Sequence, residues 1–311
     1  MASIKKINET IFQINSFIEE NNYALKLDPV NFSKKLTLTN LESQLKDLQH
    51  ELYAENLKRE KEIVELRFIG EQAKFGSLPL SIVGDLTNSF SNAIFQTSKY
   101  FQFGKKGGAQ IDNIINETID LRLENIGKGS TIFYLSAKTA PDLFGNSIIQ
   151  NSLEHTFELL NSDNAETIID NITVVGSKSI KYYCNFFKEL NDDKLTLDIT
   201  WHTPNEETKV WNGTKDKILA LYNTLNRVEL DEPEAIDFTG EIITLSLKGK
   251  FEIKVNSKEH YYGSYPNILT DNIKQFHVGD FCKGIILRTK IYSPAAEKEK
   301  YEYTLKEIKP V

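Results

Sequence analysis

Cysteine is almost missing. Two residues, Cys184 and Cys282, stand in a chain of 311, far apart and each inside an apolar run. That count excludes a disulfide framework and predicts buried thiols in a reducing compartment. Long apolar runs are missing as well: no window approaches the roughly 18 consecutive apolar residues of a membrane span. Asn8, Glu9, Gln13 and Asn15 interrupt the N-terminal segment where a secretory leader needs an unbroken apolar core. The expectation is a cytoplasmic protein without membrane contact, in which the sequons at Asn116 and Asn171 carry no sugar. Arginine is scarce, with Arg59, Arg67, Arg122, Arg227 and Arg288 the five among 37 basic residues; with many Asn and Ile, this composition is associated with AT-rich bacterial genomes. Excess positive charge is absent: the net charge of −7 provides no global field toward nucleic acid or anionic lipid, so any such binding must be local.

What is present is ordinary globular composition, 40% hydrophobic and 26% charged, which excludes a disordered, collagen-like or coiled-coil chain. The length gives room for two or three domains. Residues 1–61 read as helical, with Ile4, Ile7, Ile11, Ile14 and Phe17 at helical steps. Asn21-Asn22 and Asp28-Pro29 break that pattern, and a second helix is expected to start at a Thr39-Asn40 cap. That helix carries Leu41, Leu45, Leu48 and Leu52 on one seam. The seam is shorter than the three or four heptads of a coiled coil, so it predicts packing within the chain, with self-association as the alternative.

Residues 62–228 alternate between strand-like and helix-like runs. Ile63–Ile69 alternates as a strand and Leu80–Phe101 is an amphipathic helix; Gly104 ends it before a solvated Lys105-Lys106-Gly107-Gly108 loop. Ile119–Glu124 and Ser130–Leu135 read as a hairpin around Gly127-Lys128-Gly129, helices follow through Leu190, and Leu195–Trp201 is a strand before a last helix at Thr214–Asn226. This β-α-β-β-α-β order, with extra helices, predicts a ferredoxin-like α+β domain. After a charged linker at 227–233, residues 234–311 are almost all β-like. Hairpin signals at Lys248-Gly249-Lys250 and one short helix near Ile268–Phe276 predict a small β-barrel, OB-like or SH3-like.

Motifs of specific chemistry are few. Gly127-Lys128-Gly129-Ser130-Thr131 lacks the upstream glycine and following helix of a phosphate loop. His50, His155, His202, His260 and His277 are scattered, without the spacing of a metal site. His155 reads as a surface residue, and His202 as a strand-end residue lacking the partner a base needs. Glu252 and Lys254, with Asp237 or Glu241 upstream, resemble the acidic pair and lysine of metal-dependent nucleases, although polar alternation on a strand produces the same triplet. No cofactor and no metal are expected.

One patch has more weight. Segment 233–311 holds 12 basic and 11 acidic residues, a net +1 that leaves −8 to the rest. Lys250, Lys254, Lys258 and Lys290 lie near Tyr261 and Tyr262 in sequence, the residue types that meet a phosphate backbone and stack bases on a barrel face. The leading expectation is a non-enzymatic adaptor or assembly protein, bound to another protein or to itself. A single-stranded nucleic-acid factor using the barrel is the alternative, and a metal-dependent nuclease the third.

Overall fold

The computed structural model describes residues 4–28, 31–74, 76–127, 131–139, 147–203, 207–246 and 249–311, with residues 4–9, 12 and 49–60 described in their backbone only. It is a mixed α/β structure with two sheets, one closed into a five-stranded barrel. The chain divides into two compact units, Met1–Lys61 with Thr203–Glu207, and Glu62–His202 with Thr208–Val311. Among the described residues no helix is long and apolar enough to cross a membrane.

The first unit is a pair of packed helices, α1 (Ile4–Leu27) and α2 (Phe32–Glu60). Asn21 does not break α1, because its side-chain amide donates to the Phe17 carbonyl one turn back, at 2.8 Å. Nor do Thr39 and Asn40 start α2. The Thr39 hydroxyl donates to the Lys35 carbonyl inside the helix at 3.1 Å, while Asn31 Oδ1 accepts the Lys34 N–H at 3.1 Å and caps the true start. Leu41, Leu45 and Leu48 are half-buried along one side of α2, and the Leu52 side chain lies outside the described residues.

The second unit begins with β1 (Lys61–Ile69), α3 (Leu80–Phe103) and α4 (Ala109–Ile119). The helix α4 fills the stretch between the loop expected at 105–108 and the strand expected from Ile119, and takes the first residue of that strand. Ile111, Ile115 and Ile119 recur at four-residue steps, and the last two are buried. The strand therefore starts later, as β2 (Arg122–Gly127), paired antiparallel with β3 (Thr131–Lys138); residues 128–130 of the hairpin turn lie outside the described residues. Helices α5 (Ile148–Leu160), α6 (Ala165–Val175) and α7 (Ile180–Asp192) lead to β4 (Thr196–His202). An edge strand absent from the sequence reading, β5 (Thr208–Gly213), pairs with β4 ahead of α8 (Lys215–Leu225).

The sheet order is β2-β3-β1-β4-β5. One face, with Val64, Leu66, Phe68, Phe133, Leu197, Ile199, Trp201 and Trp211, is buried among helices, and the alternate residues Glu65, Arg67, Thr200 and Val210 face outward. Each such apolar side chain contributes roughly 1.5–3 kcal/mol. The helix α5 is fixed at its start by Ser147, whose buried side chain accepts the Gln150 N–H at 3.0 Å. Replacing Ser147 with Ala is expected to cost about 1 kcal/mol, measured by urea denaturation; an unchanged midpoint would assign the cap no energetic role.

The barrel contains β7 (Glu234–Ser246), β8 (Lys250–Lys254), β9 (His260–Ser264), β10 (Phe281–Ser293) and β11 (Lys298–Pro310). The segment expected as a linker holds β6 (Glu229–Leu230), which pairs with Ile291 and Tyr292 of β10. Around the barrel, β7 joins β8, β8 joins β9, and β9 meets β11 in parallel at Ser264 and Thr304; β11 joins β10, and β10 returns to β7. Closure removes the exposed edges. A short helix, α9 (Thr270–Ile273), with the turn before it, adds Leu269 and Ile273 to a core of Phe238, Ile242, Phe251, Ile253, Ile286, Leu305 and Ile308. Gly263 allows the close crossing of β9 and β11, since a Cβ there would lie 2.1 Å from the Tyr303 carbonyl oxygen. Both thiols are free, Cys282 buried in the barrel and Cys184 half-buried.

Candidate functional site

The barrel and the helical layer meet through buried polar groups. Gly104 (φ 62°) ends α3 with its N–H bonded to the Tyr100 carbonyl at 2.8 Å, and the chain turns to place Lys105 against β10 and β11. The solvated loop expected there is corrected at Lys105: its side chain is 5% exposed, it pairs with Glu302, 1% exposed, and it donates to the Thr289 hydroxyl. Glu302 also accepts the Ser177 N–H at 3.2 Å and the Ser177 hydroxyl at 3.3 Å. An ammonium and two further donors thus surround one carboxylate, the condition under which a buried charge is tolerated. Gly176 (φ 86°) makes this approach possible, because a Cβ there would lie 2.5 Å from Tyr100 Cγ.

Beside this pair, the Tyr100 hydroxyl is 2.9 Å from Ser264 Oγ and 3.0 Å from Thr304 Oγ1. These are the two residues at which β9 and β11 meet, so a helical side chain pins the closure point of the barrel. Burial, reinforced by the Glu302 carboxylate, pushes the Tyr100 phenol above its ordinary range and keeps it a neutral hydrogen-bonding group.

Outside the pinned contact a cleft of about 140 Å³ opens between the helices and the barrel. Tyr100 and Phe101 of α3, His155 of α5, and Thr173 and Val174 of α6 form the helical side. Gly249, Lys250, Tyr262 and Ser264, with Lys300 and Tyr301 of β11, form the barrel side. His155 is corrected from a surface residue to a cleft residue: its side chain is 19% exposed, its ring centroid is 6.3 Å from that of Phe101, and Nδ1 is 3.0 Å from Glu158 Oε2. The Glu158 carboxyl is held below its usual range first by that hydrogen bond, with Lys250 contributing at longer range. Lys300 pairs with Asp170, whereas Lys250 has no ion pair among the described residues.

The structure brings some of the sequence-selected residues together and separates others. Lys250 and Lys254 lie on the outer side of β8, opposite Ser264 and His260 of β9; Tyr262, between them and 59% exposed, stands opposite Glu252. Lys258 is exposed in the β8–β9 connection. Tyr261 turns inward, 7% exposed, with its ring 5.3 Å from Tyr303 and its hydroxyl donating to Glu259 at 2.6 Å, so it presents no free ring face. Burial first, then Glu259, pushes that phenol up to about 12. Lys290 sits on β10 and pairs with Glu299 at 2.6 Å. Glu252 accepts the Thr244 hydroxyl at 3.3 Å and lies 3.4 Å from His260 Nδ1, and no three His, Cys, Asp or Glu side chains group as a metal site among the described residues.

His202 gains partners that sequence does not reveal, because β1 and β5 flank β4. Its Nε2 is 2.8 Å from Glu65 Oε1 and its Nδ1 is 3.3 Å from the Thr208 hydroxyl, a row that ties three strands together on the outward face of the sheet. The helical pair carries a different feature: Phe17, Tyr23, Leu27, Phe32 and Leu36 are all exposed, Phe32 by 77%. Compared with protein-family models, curated proteins and solved structures, the chain matches none.

Proposed function

We propose that this protein is a non-enzymatic assembly module that works through protein contacts, with α1 and α2 as its binding element. The observation that carries this reading is the set of large apolar side chains left in solvent on both sides of the connection between the two helices: Phe17, Tyr23 and Leu27 before it, Phe32 and Leu36 after it. Single exposed apolar residues are commonplace, but several gathered at one end of a helical pair mark a surface that another chain covers. Two free thiols are compatible with a module that works in a reducing compartment. Light scattering coupled to gel filtration tests the reading. The wild type is expected to run as an oligomer or as a complex with a host protein, and a Phe32→Ser/Leu36→Ser variant as a monomer of unchanged helicity. A wild-type monomer that captures no protein sinks the proposal.

A second reading has its own observation. The barrel order β7-β8-β9-β11-β10, with β9 and β11 parallel and a short helix between β9 and β10, is read as an OB-like barrel; such barrels bind oligonucleotides on the face of their second and third strands. That face here is β8 and β9, with Lys250, Lys254 and Tyr262 outward. With Lys258 the face offers three lysines, so single-strand affinity should fall with salt at a log–log slope of about −2, at roughly 0.7 per phosphate. Fluorescence anisotropy at two salt concentrations measures it, and no binding at low salt removes the reading. The finer architecture goes with it: a ferredoxin-like domain at 62–228 carrying the barrel at 234–311.

A further inference from the structure

We infer that the cleft between the helices and the barrel binds one nucleotide with a single-ring base, its ring against Phe101 and Tyr262, its polar edge at His155 and its phosphate at Lys250. The juxtaposition has three parts. First, both walls bring aromatic rings, Phe101 from α3 and Tyr262 from β9, and aromatic faces stack planar bases. Second, His155 Nδ1 is committed to Glu158 at 3.0 Å; with the proton on Nδ1, the other ring nitrogen is left as an acceptor for a base N–H. Third, Lys250 stands at the barrel wall without an ion pair among the described residues, a cation next to an aromatic slot. The space of about 140 Å³ is on the scale of the roughly 150 Å³ cavity that accepts one benzene ring, so a pyrimidine fits within it and its sugar and phosphate reach outward.

The slot is preorganised. Tyr100 and the Lys105–Glu302 pair lock the helical wall to the strands that form the barrel wall, so little ordering is left for the ligand to impose. The inference goes beyond both readings above, because it concerns a cleft built from two parts of the unit and does not depend on the outward lysines Lys254 and Lys258.

A nucleotide of this kind occurs free or as one residue of a single strand, and the test separates the two. Uridine 5′-monophosphate, cytidine 5′-monophosphate, uridine and a short oligouridylate are titrated into the full chain by calorimetry, to about 1 mM for the small ligands. Saturable binding of a monophosphate or of the strand is expected, weakened roughly 10-fold or more in Tyr262→Ala. Lys250→Gln is expected to weaken the monophosphates several-fold and to leave uridine unchanged. Lys254→Gln/Lys258→Gln is expected to change neither, which separates failure of the slot from failure of the barrel-face reading. Monophosphates binding as well as the strand identifies a free nucleotide as the ligand; the strand binding far more tightly, with the same loss in Tyr262→Ala, identifies a strand residue. Tyr262 and Lys250 are both exposed, so both variants should fold. No binding of any probe, or binding indifferent to Tyr262→Ala and Lys250→Gln, overturns the inference.

Discussion

Lys105→Met is expected to lower the unfolding free energy of the larger unit by about 3–5 kcal/mol, because it strands the Glu302 carboxylate in an interior from which water is excluded. Glu302 is 1% exposed, and once the ammonium is removed it keeps the two Ser177 donors and the neighbouring Tyr100 phenol, none of them charged. Glu302→Gln should cost a similar amount for the opposite reason: Ser177 keeps an acceptor, but the buried Lys105 charge loses its counter-ion. The double variant Lys105→Met/Glu302→Leu removes both charges together and should recover much of the loss, although the Ser177 donors then lack an acceptor. Urea denaturation followed by circular dichroism checks all three. Losses below about 1 kcal/mol in both single variants would mean that water reaches the pair and that it does not fasten the barrel to the helices.

The second large effect depends on pH. Glu62 is fully buried at the start of β1; its Oε2 accepts the Trp201 indole N–H at 2.6 Å and its Oε1 has no hydrogen-bond partner among the described residues. Burial raises its pKa from the ordinary 4.5 to about 7, against the opposing pull of the Trp201 hydrogen bond. A carboxyl whose folded pKa is raised binds its proton more tightly in the native state than in the unfolded chain. Its stabilising effect is therefore complete below pH 4.5, is lost as pH rises toward 7, and is absent above that. The loss amounts to about 3 kcal/mol across that window. Glu62→Gln keeps an oxygen for Trp201 and cannot ionise. It should flatten the pH dependence and, at pH 8, be more stable than wild type by up to about 3 kcal/mol. Parallel denaturation series at pH 5 and pH 8 decide it: equal differences between the two proteins at both values would place the Glu62 titration elsewhere.

Legibility in the sequence followed the range of the interactions. The alternation of Val64, Leu66 and Phe68 against Glu65 and Arg67 specifies a one-faced strand, and β1 has that burial. The hairpin signal at Lys248-Gly249-Lys250, of which Lys248 lies outside the described residues, runs into β8 at Lys250, and the apolar spacing of Leu80–Phe101 lies within α3. Capping was less legible, because Asn31, Thr39 and Asn40 are all competent caps and only the packed length of α2 selects Asn31. Ile111, Ile115 and Ile119 spell the inward side of α4, yet Ile119–Glu124 alternates as a strand does and the stretch before it carries no expected element. The candidate cleft was scarcely legible. Lys250 and Tyr262 are a basic and an aromatic residue close in sequence, whereas His155 and Phe101, which complete the cleft, lie roughly 100 and 150 positions upstream.

By itself, then, the sequence determined the broad layout: helices at the start, mixed elements in the middle and strands at the end. These follow from periodicity and composition, which act over a few residues. Only the tertiary structure decided that a lysine in a glycine-flanked loop is buried against Glu302, that Tyr261 faces the core while Tyr262 faces out, and that His202 has Glu65 and Thr208 beside it. The physical reason is common to all three. Desolvation and pairing of a polar group depend on which distant segments close over it, and that is fixed when sheets pair and layers pack, not by the neighbours of the residue along the chain.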